Sequence, residues 1–108
     1  MTLSVIVRDR ATQDLRLQAN YILTKGDRKT AETFLECAEL TFSQLAKTPK
    51  IGKKVLLLAP SPQEIRQWRI KNFKNHLIFY QLREETIEIL RILHSARDLT
   101  DIMPYLEK

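Results

Sequence analysis

A chain of 108 residues with 44% hydrophobic and 29% charged side chains, two glycines and one cysteine is long enough for one core and too short for two. That composition excludes disordered, fibrous and disulfide-built classes, and Cys37 by itself can make neither an internal disulfide nor a multi-thiolate metal site. The net charge of +5 is unevenly spread: residues 47 to 83 hold nine basic side chains against the single acid Glu64, so this stretch is +8 and the remainder −3. Such segregation suits a polyanion or an acidic protein partner, or else is a solvated face, and no spacing of aromatics for base stacking accompanies it.

In chain order, Leu3 to Val7 is rich in β-branched residues and reads as a short strand, too short for a signal-peptide core or a membrane span, so a cytoplasmic location without membrane contact is expected. Asp9 is placed to cap a helix over 11–23, whose stripe is Ala11, Leu15, Ala19 and Ile22, with Arg16, Gln18 and Asn20 facing elsewhere. Lys25-Gly26 supplies a terminal cation and a residue suited to a left-handed cap, and Asp27 can cap the next helix. Ala31, Phe34, Leu35, Ala38, Phe42, Leu45 and Ala46 then form one apolar arc that ends near Thr48, because Pro49 disfavours helical geometry just before itself. The two helices make a hairpin.

Residues 49–62 carry three prolines and Gly52 around Val55 to Leu58, a connection that reads either as a docking segment or as a loop pinned to the core with a little strand pairing. Ile65 to Lys71 alternates as a strand, Asn72 to Asn75 reads as a turn, and His76 to Leu82 is apolar on both faces, as in a central strand. After the turn at Arg83-Glu84-Glu85, Thr86 to Leu93 is a third strand; strict alternation puts Ile87, Ile89 and Leu93 on one face and Leu90 and Ile92 on the other. Asp98 or Thr100 can cap a short terminal helix through Ile102. The expected fold is one α+β domain over 1–108: an N-terminal strand, a helical hairpin on one face of a mostly antiparallel sheet, a three-stranded meander and a short last helix. The face away from the helices, with Leu77, Phe79, Leu90 and Ile92, then needs a cover from the C-terminus, a partner or a second copy.

The chain has no phosphate loop, zinc motif or dinucleotide glycine pattern, so no cofactor is expected. Cys37 lies mid-helix and reads as structural. His94 closes the last strand and is followed by Ser95-Ala96-Arg97-Asp98, which gathers imidazole, guanidinium and carboxylate at a strand end, either as a functional cluster or as a cap and ion pair. Metal-independent RNA cleavage is the hydrolytic chemistry a basic site could support, with candidates His94, Tyr80 or Tyr105, Arg66, Arg69, Arg91 and Arg97. Strand parity sets Arg66 beside Trp68 and Ile70 while Arg69 faces away, so these groups do not obviously converge.

The segments Ile65-Arg66-Gln67-Trp68-Arg69-Ile70, His76-Leu77-Ile78-Phe79-Tyr80 and Ile87 to Asp98 resemble the ParE/RelE superfamily of type II toxin-antitoxin toxins, and the helical hairpin followed by Pro49-Lys50-Ile51-Gly52 extends the resemblance over nearly the whole chain. The strand ending in His94-Ser95-Ala96-Arg97-Asp98 is most similar to the ParE branch. The resemblance implies a small toxin neutralised by a cognate antitoxin, with DNA gyrase as target in that branch and ribosome-bound mRNA as substrate in the RelE branch. It implies target-binding by Arg66, Arg69, Lys71, Arg91, His94 and Arg97, and antitoxin-binding by Leu77, Phe79, Leu90 and Ile92. For a ribonuclease the implied catalytic set is His94, Arg97, Arg66 and Tyr105. Met103 stands where the RelE branch carries a tyrosine, with Tyr105 two residues on, and Asn75-His76 where it carries an arginine, which favours the gyrase-directed branch.

Overall fold

The structure is a computed structural model that describes residues 2–55 and 64–102. It comprises strand β1 (Ser4–Val7), helices α1 (Asp9–Lys25) and α2 (Arg28–Lys47), strands β2 (Lys53–Val55), β3 (Ile65–Ile70), β4 (Phe73–Arg83) and β5 (Thr86–His94), and the short helix α3 (Leu99–Ile102). The sheet order is β1-β5-β4-β3-β2. β3, β4 and β5 form the antiparallel meander, β2 joins antiparallel to β3, and β1 runs parallel to β5 because the helical hairpin carries the chain back across the sheet. This is the expected α+β arrangement with one strand more. The added strand comes from the connection after Pro49, where Lys53 to Val55 pair with Gln67 to Ile65; Leu56, Leu57 and Leu58 of the anticipated docking segment lie outside the described residues.

Ala11, Phe34, Ala38, Phe42 and Leu45 from the helices bury against Ile70, Ile78, Tyr80, Ile87, Ile89 and Ile92 of the sheet. Their removal from water is the main favourable contribution to the fold. The anticipated stripe of α1 holds, with Leu15, Ala19 and Ile22 packed on this core. Arg8, not Asp9, occupies the cap position of α1, and it makes no side-chain cap; Asp9 sits in the first turn, where its charge favours the helix dipole. Gly26 closes α1 through its N–H to Ile22 O at 2.7 Å with φ −124°, so the cap is not left-handed. Asp27 caps α2 as expected, accepting from Thr30 N at 2.7 Å, and that bond holds its carboxyl below the usual range. The buried Cys37 carbonyl accepts from the Thr41 hydroxyl at 2.7 Å, which in turn accepts from Lys71 N at 3.0 Å and ties α2 to the end of β3.

Two features differ from strict alternation. β4 starts at Phe73, and the β3–β4 hairpin turns on Lys71-Asn72 alone, with Asn72 in the left-handed region (φ 67°). In β5, Phe79 pairs with Arg91 but Tyr80 pairs with Ile89, so Leu90 is the extra residue of a bulge. The bulge reverses the parity beyond it. Ile92 therefore turns into the helix-side core and Leu93 turns to the opposite face, the reverse of the expectation for both. On that opposite face Ile65, Phe79 and Leu93 pack with Ile102 of α3, and Val55, Leu77 and Leu90 are partly buried around them. The chain's own C-terminal helix thus covers part of the face that needed a cover.

Candidate functional site

β1 ends at Val7, opposite Ile89, so the last turn of pairing on that side of β5 is missing and its edge N–H groups need other acceptors. Carboxylates supply them. Asp14 of α1, buried, accepts from Ile92 N at 3.0 Å, and Asp98 accepts from His94 N at 2.7 Å. Asp14 also takes a two-pronged bond from Arg91 at 2.8 and 3.2 Å, and Arg91 reaches Asp101 at 3.4 Å. These hydrogen bonds, Asp14 first, raise the guanidinium above its ordinary pKa.

The turn out of β5 is built by His94. Its Nδ1 accepts from Ala96 N and Arg97 N, both at 3.1 Å, and its carbonyl accepts from Asp98 N at 2.9 Å. Gln18 bridges Arg97 and Asp98: its Oε1 accepts from Arg97 at 2.8 Å and its Nε2 donates to Asp98 at 2.9 Å. The Arg97 guanidinium lies over the Tyr21 ring, 3.7 Å from its centroid. The result is a groove along α1 and β5 of about 280 Å³, bordered by Arg10, Leu17, Tyr21, Arg91, Arg97 and Asp101. Leu17 is 61% exposed and Tyr21 43%, so an apolar helix face continues from the stacked arginine.

Behind the turn, His94 pairs across the sheet with His76, the rings meeting edge to face at 4.9 Å. His76 also packs against Phe34 and Phe73, and its Nε2 is buried without a hydrogen-bond partner among the described residues. Burial, with His94 and Arg97 beside it, pushes His76 down to about 4, and burial followed by Arg97 lowers His94 as well. Both imidazoles are neutral near pH 7.

The expected site residues fall into three places. Arg91, His94 and Arg97 come together at this turn. Arg69 and Lys71 lie together at the β3–β4 hairpin, where they border one groove with Trp68. Arg66 belongs to neither: it donates to Glu64 Oε2 at 2.7 Å, to Lys50 O at 3.2 Å and to Gly52 O at 2.6 Å, and its register partner is Tyr80. Tyr80 is four residues from His76 along β4, roughly 13 Å at strand rise, and β3 and β5 lie on opposite sides of β4, so Arg66 and His94 do not share a site. Tyr80 itself is buried, and that burial raises its pKa. Tyr105 lies outside the described residues.

Two contributors escape the helical-wheel reading. Gln18 faces the core flank, not the solvent side, and is 6% exposed; Asp14, equally buried, lies off the apolar stripe. The available signal was their spacing, since 11, 14 and 18 repeat by three and four beside the stripe, putting an acid and an amide on the helix edge nearest β5.

A family model for the ParE toxin of the type II toxin-antitoxin system, parDE, matches residues 5–99. The chain belongs to the ParE toxin family. A solved structure of the chromosomal ParDE toxin-antitoxin system from P. aeruginosa superposes with a TM-score of 0.68 at 15% identity, covering 86% of this chain and 96% of that one. At that identity the likeness is one of fold. Among curated protein sequences, none matches this chain. No helix among the described residues is long and apolar enough to cross a membrane.

Proposed function

We propose that this ParE-family toxin inhibits DNA gyrase by binding, without chemistry of its own, and that a cognate antitoxin neutralises it. The observation that carries this reading is the way the β5 turn spends its polar groups. His94 Nδ1 already accepts two backbone N–H groups, and Arg97 is fixed between Gln18 and Tyr21 while remaining exposed to solvent. A general base needs a free lone pair within reach of its proton; a contact surface needs the reverse, anchored arginine and aromatic groups presented rigidly. Arg97 stacked on Tyr21, with Leu17 beside it, fits the second requirement. Arg91 is the strut of this surface, and Arg69 and Lys71 form a separate cationic area.

The antitoxin reading extends to the opposite sheet face, where Leu77 and Leu90 remain partly exposed around the Ile102 contact. An amphipathic partner segment with net negative charge would cover these groups and offset the +8 stretch. The test is a supercoiling assay with purified gyrase beside ribosome-programmed mRNA cleavage, using one preparation. Inhibited supercoiling with intact mRNA is expected. Cut mRNA with normal supercoiling would replace this reading with a ribosome-dependent endoribonuclease, with His94 and Arg97 as its first suspects.

A further inference from the structure

We propose that His94 is a proton-operated latch: its neutral imidazole holds the backbone of the β5 turn so that Arg97 stays over Tyr21, and the imidazolium lets that arm go. The device is the same whichever partner Arg97 meets. His94 Nδ1 accepts from Ala96 N and Arg97 N, each at 3.1 Å, so one lone pair is shared by two donors. A neutral imidazole that accepts at Nδ1 carries its hydrogen on Nε2, and a proton taken from solvent then goes to Nδ1. The imidazolium has no acceptor left. Three N–H groups would point into one space, so the two backbone bonds break and Arg97 is freed at the point where its side chain leaves the chain. His94 is partly exposed and can take that proton from water, and the exposed Ala96 and Arg97 amides find water as their new partner, which makes the opening reversible without unfolding the sheet.

The neighbouring bonds confine the change. Ser95 N donates to Asn75 O at 2.8 Å and Asp98 N to His94 O at 2.9 Å, and those acceptors are carbonyls, which do not titrate. Arg97 donates to Gln18 Oε1 at 2.8 Å while its guanidinium lies 3.7 Å from the Tyr21 ring centroid, and both contacts need the turn to be fixed. The charged and titratable groups around His94 are His76 of β4, Arg97 and Asp98 of the turn and, beyond Gln18 on α1, the Asp14 to Arg91 pair that Asp101 of α3 joins. Burial and then Arg97 disfavour the imidazolium, against Asp98, and hold His94 below its ordinary 6.5. The latch is therefore closed above that folded value and released as pH falls through it. His76, which burial and then the charge on His94 push down to about 4, takes its proton later.

Nuclear magnetic resonance of the full chain tests the latch. At about pH 8, long-range nitrogen–proton spectra are expected to show His94 with its hydrogen on Nε2, and the Tyr21 ring in contact with the Arg97 side chain. Towards about pH 5, hydrogen-exchange protection at Ala96 and Arg97, corrected for the intrinsic rate, is expected to fall roughly tenfold in step with the His94 imidazole signal, and the Tyr21 contacts to fade with it. Ser95 and Asp98 keep their protection. His94→Asn, whose Oδ1 accepts where Nδ1 does and cannot titrate, should hold Ala96 and Arg97 across the range, His94→Ala should leave them unprotected throughout, and His76→Phe should keep the fall. The parent alone decides should His94→Asn never close. The proposal is overturned if His94 carries its hydrogen on Nδ1, if its imidazole titrates while Ala96 and Arg97 stay protected, or if Arg97 keeps its Tyr21 contacts after that protection is lost. An equal fall in His94→Asn, or none in His76→Phe, would assign the effect to another group and overturn it as well.

Discussion

Gly52 and Tyr80 are in direct contact: the Gly52 N–H donates to the buried Tyr80 hydroxyl at 3.0 Å, and that hydroxyl donates to Pro49 O at 2.8 Å. A Cβ on residue 52 would stand 2.5 Å from that oxygen and 2.6 Å from the Gln67 carbonyl oxygen. The glycine in the Pro49 to Gly52 connection is therefore required by space, since its backbone is not in the left-handed region. Gly52→Ala is expected to cost about 1–3 kcal/mol through displacement of β2 or Tyr80. Tyr80→Phe should cost a similar ~1–3 kcal/mol by leaving a buried donor and acceptor unpaired. Urea unfolding measures both, and a Gly52→Ala midpoint equal to the parent's would show that the contact carries no constraint.

Asp14 is the strut between α1 and the unpaired end of β5. Asp14→Ala strands Ile92 N and leaves Arg91, whose side chain is 15% exposed, without its main partner, at an expected cost of ~3 kcal/mol. Because the two side chains act as a pair, Asp14→Ala/Arg91→Ala should lose well under the sum of the single variants. Strict additivity in denaturant would dissolve the pair.

Acid should loosen the fold through His76. Its folded pKa, about 4, lies below the unfolded value of 6.5, so the unfolded chain binds the extra proton in between and stability falls as pH drops from 6.5 towards 4. The loss is on the order of 3 kcal/mol for such a shift. His76→Phe, which suits the Phe34 and Phe73 surroundings, should flatten this part of the stability–pH curve relative to the parent. Parallel curves for the two proteins would remove His76 as the cause.

Arg97 is exposed and stacked, so its loss should leave the fold in place and damage the contact surface. Arg97→Ala is expected to change the melting temperature by less than ~3 °C while weakening gyrase inhibition about tenfold or more. Arg97→Lys should not restore inhibition, because an ammonium cannot lie flat on Tyr21 while donating to Gln18. Supercoiling assays on folded variants check this; full inhibition by Arg97→Ala would move the contact elsewhere.

The elements of the fold were legible because each carries its own period: the α2 stripe, the Asp27 cap and the apolar run of β4 are local signals. What was not legible depends on partners distant in the chain. The Leu90 bulge has no local mark, since Leu90, Ile92 and Leu93 are interchangeable by hydropathy, yet it decides which face each one meets. Gln18 and Asp14 look like solvent-facing polar residues until β1 is seen to stop short of Ile92 and His94, whose N–H groups create the demand that Asp14 and Asp98 fill. The motif singles out Arg97 as a candidate, but its support by Gln18 and Tyr21, some 80 residues earlier, has no local mark.

β1 pairs with β5, Ser4 opposite Thr86. β1 therefore waits for β5 to be synthesised, and at synthesis rates of roughly 5–20 residues per second that delay is about 4–16 s. Asp14 and Gln18 wait with it, since their partners Arg91, Arg97 and Asp98 come later still. A copy stalled before Thr86 lacks β5 altogether, and with it the partner of β1, one side of the β4 pairing and the Arg97 that stacks on Tyr21.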